Sequence, residues 1–420
     1  MTLREKISRE IRERGPIPFS GYMELCLYDS ELGYYSRNAE QFGKAGDFYT
    51  SSDVHAVFGR LLARQFEEMW RLLGSPKEIE ILELGPGRGL FAQDVLDWSA
   101  KKFPEFVAAM HYSLVERSLA LRNRLQNTLS CHFEMGKVGF APGPNPTLTG
   151  EIKGAAKAVP FHDGANCQEP TGDTTRKGTT LVLANTQLER ALAPDVPLIV
   201  FANEFFDALP VEILSSKGEL RVDEKDRRFV ETWSAAKTEE LEFLDRYGVH
   251  PESGERIEAP LVAQRCMNEA AASIQRGFFI AIDYGYTRDQ LLAGRHRGTV
   301  MAYRQHSVSA NPYEAPGEQD ITAQVNFTAL AGAAEQRGMP VHPLLTQSQF
   351  LMGIGEQNQF ADAFEECRLP QERAKVALQL KHLVTPAGLG ETFHVLVASR
   401  GVSPDSLEKL SGLSFGKNLG

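Results

Sequence analysis

Residues 79–89 read IEILELGPGRG, and the fold follows from how this stretch is read. Ile79, Ile81, Leu82 and Leu84 make a short apolar run, and Gly85, Gly87 and Gly89 follow at alternate positions. A run of this kind that stops at closely spaced glycines predicts a buried strand ending in a tight turn. The next residues, LFAQDVLDWSA, place Leu90, Phe91, Val95 and Trp98 at helical spacing. The unit is strand, glycine turn, helix, the first half of a nucleotide-binding βαβ unit. Glycine in the turn lets backbone approach a ligand closely, and the helix N-terminus favours negative or polar groups.

The spacing narrows the ligand. A dinucleotide turn carries G-x-G-x-x-G/A, whereas Glu83, Gly85, Gly87 and Gly89 form E-x-G-x-G-x-G. This resembles the first motif of class I S-adenosylmethionine (SAM) methyltransferases, which implies that Glu83, Gly85, Pro86, Gly87 and Gly89 serve the cofactor. SAM has no phosphate, so the turn must seat an adenosine and an amino-acid tail. The next strand, Tyr112 to Glu116, closes on an acid. A carboxylate there accepts hydrogen bonds from both ribose hydroxyls, which assigns Glu116 to the ribose. A plain tight turn is the alternative for the glycines alone; the strand before, the helix after and Glu116 together favour a nucleoside site.

Length and composition bound the rest. The chain has 420 residues and 46.6 kDa, enough for one large elaborated domain or two domains. Hydrophobic residues at 42% and charged residues at 24% describe an ordinary globular protein. A net charge of −10 argues against a general nucleic-acid binder. No apolar run reaches the length of a membrane span. Cys26, Cys131, Cys167, Cys266 and Cys367 are scattered and lack a C-x-x-C pair, so neither a disulfide framework nor a zinc site is expected. The ten histidines show no metal spacing, and no metal is expected. MTLREKISREIRERG predicts an amphipathic helix on Leu3, Ile7 and Ile11; its Glu5, Glu10 and Glu13 speak against a presequence. The expected location is the cytoplasm for a bacterial-type protein, or the mitochondrial matrix for a eukaryotic one.

Residues 1–75 read as a mostly helical segment packing over the cofactor site. Ser20 is a plausible N-cap of a second helix, and Asp53 caps a third, Val54 to Leu73, with an apolar stripe at Val57, Leu61, Leu62, Phe66 and Met69. The polar loop before it could fold over the cofactor and offer Tyr49, Thr50 and Ser51 as contacts; a solvated loop is the alternative. Past Glu116 a helix and a short strand, CHFEM, are expected. Residues 139–178 are rich in Gly, Pro, Thr and Asn without periodicity, an irregular insertion to which no chemistry is assigned. Leu198 to Ala202 is a fully apolar strand ending at Asn203 and Glu204. VEILSSKGELRVDEKDRRFVETWS alternates like an antiparallel meander, so 211–276 reads as an inserted β-meander plus helix, a substrate cap. FFIAIDYGYT is another buried strand ending in Asp283 and Tyr284, and GETFHVLVASRG is the last. The expected architecture is an α/β fold: a doubly wound Rossmann-like sheet formed by 76–210 and 277–420, with the N-terminal helical segment and the inserted cap.

Ligands in such sheets sit at carboxyl strand ends, where Glu83, Glu116, Asn203, Glu204, Asp283 and Tyr284 all fall. Methyl transfer is a displacement with a neutral leaving group, so the enzyme mainly positions donor and acceptor in line. A guanidinium or amine acceptor needs carboxylates to orient it and offset its charge. NEFFDALP offers Glu204 and Asp207, which share one face if the turn is helical. A solvated acidic loop, or a capping role for Asp207, is the alternative. Asn203 can bond the adenosine or the methionine tail, or simply shape a turn. Asp283 is a second substrate acid or a structural hydrogen-bonding residue. Asp320, in PGEQDITAQVNF, is a helix N-cap or a substrate contact. No G-x-S-x-G elbow anchors a hydrolase triad.

GPIPFSGYMELCLYDSELGYY, GDFYTSSDVHAVFG, LELGPGRG, LVERSLALR, ANEFFDALPV, IDYGY and PGEQDITAQVNFTAL occur in this order. Together they resemble the MidA family over nearly the whole chain outside 139–178. ANEFFDALP and PGEQDIT are distinctive, while the glycine motif is shared by many methyltransferases. The resemblance implies a SAM-dependent methyltransferase with a β insertion and a protein substrate. It also implies symmetric dimethylation of an arginine on the 49-kDa-type subunit of respiratory complex I during its assembly. A homodimer is compatible with it. Two departures stand out: the long polar insertion, which bears on the geometry of the cap, and GLGETFHVL near the end, where the family pattern suggests GMGELFKVL. Another methyl acceptor, or an assembly factor that binds SAM without turning it over, are the competing readings.

Overall fold

A computed structural model describes residues 1–37, 56–141, 196–293, 297–304, 307–309 and 311–415. The 79–89 stretch forms strand β1 (Ile79–Leu84), every residue of it buried. The main sheet adds β2 (Met110–Val115), β3 (Val138–Phe140), β4 (Leu198–Asn203), β5 (Gly277–Tyr286) and β6 (Phe393–Arg400). The spatial order is β6-β5-β4-β1-β2-β3, with Leu345–Thr346 outside β6 and Val325–Asn326 against the end of β5. Strands β1 to β5 run parallel, and β6 is antiparallel to β5. The chain moves outward from β1 through β2 and β3, then returns to the other side of β1 as β4 and β5. The gap between the carboxyl ends of β1 and β4 is therefore the topological switch point, where such sheets bind ligands.

Strand alternation sorts the two faces. Ile79, Ile81, Phe201 and Ile280 join Phe58, Phe66, Phe91 and Leu96 on one face. Leu82, Leu84, Val200 and Phe279 join Val262, Met267 and Leu330 on the other. Phe91 stacks on Phe201, ring centroids 4.5 Å apart and planes 19° from parallel, which locks the helix after the glycine turn onto β4. Burying one such phenyl contributes about 1.5–3 kcal/mol. The helix Leu261–Ser273, grouped with the inserted cap in the sequence reading, packs its Val262, Ala263, Cys266 and Met267 on this second face. It is the crossover from β4 to β5.

The meander forms a separate sheet. Glu212–Ser215, Gly218–Lys225 and Arg228–Ser234 pair antiparallel, with Ile17–Pro18 and Ile257–Ala259 at its edges. The helices Leu3–Arg14 and Phe19–Tyr28 pack on this sheet through Ile7, Ile11, Tyr22, Ile213 and Val222. The helix Ala56–Leu72 packs instead on the main sheet. The first 75 residues thus serve two cores. A cluster of buried carboxylates ties the second helix to the meander sheet: Ser20 Oγ donates to Glu212 at 2.6 Å, and Lys237 Nζ lies 2.7 Å from Glu219, 3.1 Å from Glu240 and 3.6 Å from Glu212. Arg221 adds a second cation on Glu219, so two cations face the three carboxylates.

Four local expectations differ from the structure. Residues 130–134 are helical, and the third parallel strand is Val138–Phe140, because the amide of Tyr112 pairs with Lys137 O rather than with the CHFEM segment. The second helix starts after Pro18, and Ser20 is buried inside it on Glu212 rather than capping it. Asn326, not Asp320, caps the helix Phe327–Gln336, accepting from Ala329 N at 3.0 Å. The NEFFDALP segment is a bend and not a helical turn. Asp53, Tyr49, Thr50 and Ser51 lie outside the described residues, as does the insertion from residue 142. Among the described residues, no helix is long and apolar enough to cross a membrane.

Candidate active site

The glycine turn sets one wall of the switch-point crevice. Gly85 has φ +66°, and a Cβ there would stand 2.8 Å from the Phe205 ring. Gly87 has φ +53° with open space where a Cβ would point. Backbone can approach a ligand there without steric cost. At Gly89 a Cβ would meet Leu125 at 2.7 Å, so that glycine serves helix packing. Pro86 O accepts the amide of Gly89 at 2.9 Å and closes the turn.

Glu83 points into the first face, 4% exposed, and accepts from Tyr112 Oη at 2.8 Å. Burial pushes its carboxyl up to about 8, against the pull of that hydroxyl. Glu116 follows β2 and accepts from Ser118 N at 2.7 Å. Burial pushes it up to about 7, opposed by the amides of Ser118 and Arg117 and then by Arg122.

The other wall is built by β4 and β5. In their register Asn203 lies beside Ile282, and Glu204 N donates to Ile282 O at 2.9 Å. Glu204 adopts φ +50°, an unusual conformation for a residue with a side chain and a known mark of functional loops. Asn203 Nδ2 donates to Glu204 Oε1 at 3.2 Å. Asp283, 1% exposed, is the hub. Its Oδ2 accepts from the amides of Phe206 at 3.0 Å, Phe205 at 3.2 Å and Asp207 at 3.4 Å, while Oδ1 accepts from Tyr284 N at 2.9 Å. These bonds bend the chain after β4 and aim Asp207 back at the sheet edge. Asp283 is committed to backbone rather than presented to a substrate. Burial first, then the charges of Asp207 and Glu204, raise its carboxyl well above the usual range.

Asp207 is buried, and burial pushes its carboxyl up to about 6, against the Tyr284 hydroxyl. Tyr284 approaches Asp207 without the geometry of a completed hydrogen bond. Asp207 Oδ1, Asn203 Oδ1 and Tyr284 Oη are buried and complete no hydrogen bond of good geometry, the Tyr284 hydroxyl lying close to Asp207 and Thr322. The three lie together at the carboxyl edge of the sheet, where polar groups remain open to a ligand. The structure thus gathers Gly85, Pro86, Gly87, Asn203, Glu204 and Asp207 around the crevice between β1 and β4. Glu116 stands at the adjacent end of β2, and Glu83 and Asp283 lie behind as supports.

Sequence reasoning missed part of the wall. Tyr28 Oη donates to Ala208 O at 3.0 Å, Ser118 Oγ donates to Tyr35 O at 2.9 Å, and Tyr35 Oη donates to Asp320 at 2.9 Å. The N-terminal segment therefore reaches across the carboxyl edge of the sheet. No spacing announces those contacts, since the partners lie up to 285 positions apart.

A parallel sheet with a reversed last strand, a glycine turn shaped for a nucleoside and acids at the switch point are the features of a SAM-dependent methyltransferase. The chain belongs to the S-adenosyl-L-methionine-dependent methyltransferase family Methyltransf_28, whose model matches residues 61–344. It is similar to the protein arginine methyltransferase NDUFAF7 homolog, mitochondrial, of Drosophila melanogaster. The two are 29% identical over 99% of this chain and 88% of the relative. It is 27% identical to the human mitochondrial protein arginine methyltransferase NDUFAF7 over 92% of this chain and 80% of that one. Among solved structures, a COG1565 superfamily member from Burkholderia thailandensis bound to S-adenosyl-homocysteine superposes with a TM-score of 0.74. It is 26% identical, with 97% of this chain and 94% of that one covered. SAM is the cofactor, and the residues present fit it: Gly87 leaves room for close backbone approach, and the buried Asn203 Oδ1 can accept a hydrogen bond.

Proposed function

We propose that this chain methylates the guanidinium of a protein arginine, forming symmetric dimethylarginine. The observation that supports this best is Asp207: a buried carboxylate in the loop after β4, with an oxygen that completes no hydrogen bond of good geometry, three residues past the strained Glu204. When bound, SAM supplies an electrophilic methyl carbon on a positive sulfur that leaves neutral. The chain's own task is to hold a nitrogen in line and remove its proton. Glu204 and Asp207 offer acceptors for guanidinium N–H groups. Asp207, pushed up to about 6, is ionised at neutral pH and basic enough to receive the proton. Asp283 acts through the loop it shapes. Glu116 takes the ribose, Gly85 to Gly89 with Pro86 take the methionine end, and Asn203 bonds the same ligand. Glu83 supports the turn from below. Tyr49 and Thr50, outside the described residues, are proposed as further cofactor contacts.

The relatives from Drosophila melanogaster and human are mitochondrial arginine methyltransferases. That supports a matrix location, rather than the cytoplasm, for a eukaryotic chain. The 49-kDa-type subunit of complex I is the proposed substrate, with a role in assembly, on the resemblance to the MidA family alone. The antiparallel sheet at 211–259 serves as substrate cap, and a homodimer is compatible with the fold.

The test is methyl transfer from labelled SAM to that purified subunit, read by mass spectrometry of the modified residue. Dimethylarginine that disappears with Glu204→Ala and with Asp207→Ala supports the reading. Methylation of a different residue type, or none with SAM bound, sinks it.

A further inference from the structure

The last turn of the helix Ala56–Leu72 borders a cavity of about 370 Å³. Glu68, Arg71 and Leu72, three and four residues apart on one helix face, line it together. Lys409 and Leu410, near the end of the chain, line the facing side, and Gln357 a third. Just past the helix, Leu73 O accepts from Arg276, the residue before β5. The cavity therefore lies toward the amino edge of the main sheet, away from the glycine turn at its carboxyl edge.

The lining carries both signs of charge. Glu68 is 7% exposed. Its Oε2 accepts from Ser411 Oγ at 2.7 Å, Ser411 N at 3.0 Å and Gln65 Nε2 at 3.4 Å. These bonds fix the carboxyl group, yet its Oε1 is buried and has no hydrogen-bond partner among the described residues. Burial raises this carboxyl, against the amide and hydroxyl of Ser411 and then the charges of Arg64 and Arg71. Arg71 also reaches Glu67 Oε1 at 2.7 Å. Lys409 is exposed and makes no ion pair among the described residues. Leu72 and Leu410 add an apolar wall. Past Gln357, the successive non-glycine residues Gln359 and Phe360 hold φ of +52° and +57°, a strained turn of the kind found at ligand clamps.

A buried acceptor beside two cations fits a ligand with a donor cation and an anion close together. An ammonium supplies three donors and a carboxylate supplies acceptors only. An anion alone would leave Glu68 Oε1 unsatisfied, and a cation alone would face Lys409 and Arg71. We propose that this cavity binds a free α-amino acid with an apolar side chain, its ammonium on Glu68, its carboxylate on Lys409 and Arg71, and its side chain against Leu72 and Leu410. The site is separate from the methyl-transfer crevice and does not depend on which acceptor is methylated there.

The test is calorimetric titration of the full chain with L-leucine, L-methionine and L-phenylalanine in turn. Saturating S-adenosyl-homocysteine keeps the cofactor crevice occupied. One of the three should bind one-to-one. Its N-acetyl and its amide derivatives, which lose the ammonium and the carboxylate respectively, should each bind about tenfold more weakly, the loss expected for a charge-assisted hydrogen bond. Glu68→Gln and Lys409→Ala should each weaken it about tenfold as well, with S-adenosyl-homocysteine affinity unchanged. Lys409 is exposed, so Lys409→Ala keeps the test decisive if Glu68→Gln does not fold. No heat from any of the three at about 1 mM overturns the proposal. So does binding that survives Lys409→Ala, or inorganic phosphate that binds as tightly as the amino acid, which would make this an anion site only.

Discussion

The ring of Phe205 fills the space that a side chain at Gly85 would need, with Cδ2 2.8 Å from the Cβ position. The cofactor turn and the acceptor loop are therefore in direct contact. The packing couples the proposed donor and acceptor sites at this point.

Gly85→Ala should weaken SAM binding strongly, because it adds the clash with Phe205 to the roughly 1–2 kcal/mol of a left-handed alanine. The double variant Gly85→Ala/Phe205→Ala removes the clash and keeps the strain. It should recover part of the affinity, as a double-mutant cycle measures. Strictly additive effects on SAM affinity would show that the two loops are not coupled.

Asp283→Ala leaves the amides of Phe205, Phe206 and Asp207 without their shared acceptor. Unpaired buried amides cost about 1–3 kcal/mol each at most, and the acceptor loop should loosen. Transfer should fall about 100-fold, since misplacement by about 1 Å has that effect, with SAM affinity nearly kept. Asp283→Asn retains an accepting oxygen and should restore part of kcat. A kcat loss equal in both variants would point to a role for the charge itself and not for the loop.

Transfer should rise with pH through about 6 and then level off. Asp207 must be ionised both to hold a cation and to take its proton, and burial has moved its carboxyl up to about 6. The limb belongs to the Asp207–Asp283 pair, whose charges interact. Single-turnover rates across about pH 5–8 decide this. A flat profile would remove Asp207 from the proton path.

Glu83 bears on stability. Its carboxyl moves from 4.5 to about 8 on folding. Within that window the folded chain holds a proton that the unfolded chain has lost, so stability falls as pH rises and is fully present only below the unfolded value. At about 1.4 kcal/mol per unit, the loss is on the order of a few kcal/mol. Denaturant titrations of wild type and Glu83→Gln at about pH 5 and pH 8 should show a flatter dependence in the variant. Parallel curves would mean that Glu83 keeps its ordinary ionisation in the fold.

The core unit was legible in residues 79–89 because both of its signals are local. An apolar run marks a strand buried on both faces, and alternate glycines mark a turn that only glycine can make cheaply. Glu116, Asn203 and Glu204 were legible for a related reason: a residue just past a buried parallel strand lies at the ligand edge whatever the rest of the chain does. The roles of the acids were not. Asp207 and Asp283 look alike in sequence, each a lone acid near a strand end. The register of β4 on β5 gives Asp283 three amides and leaves Asp207 an unpaired oxygen. Ser20 and Asp320 have local capping readings that tertiary partners override. Sequence by itself determined the sheet, the turn and the cofactor class, because these depend on contacts between near neighbours in the chain. Only the tertiary structure decided that Asp283 holds the backbone and Asp207 does not, because burial and hydrogen bonding there depend on partners brought together from distant positions.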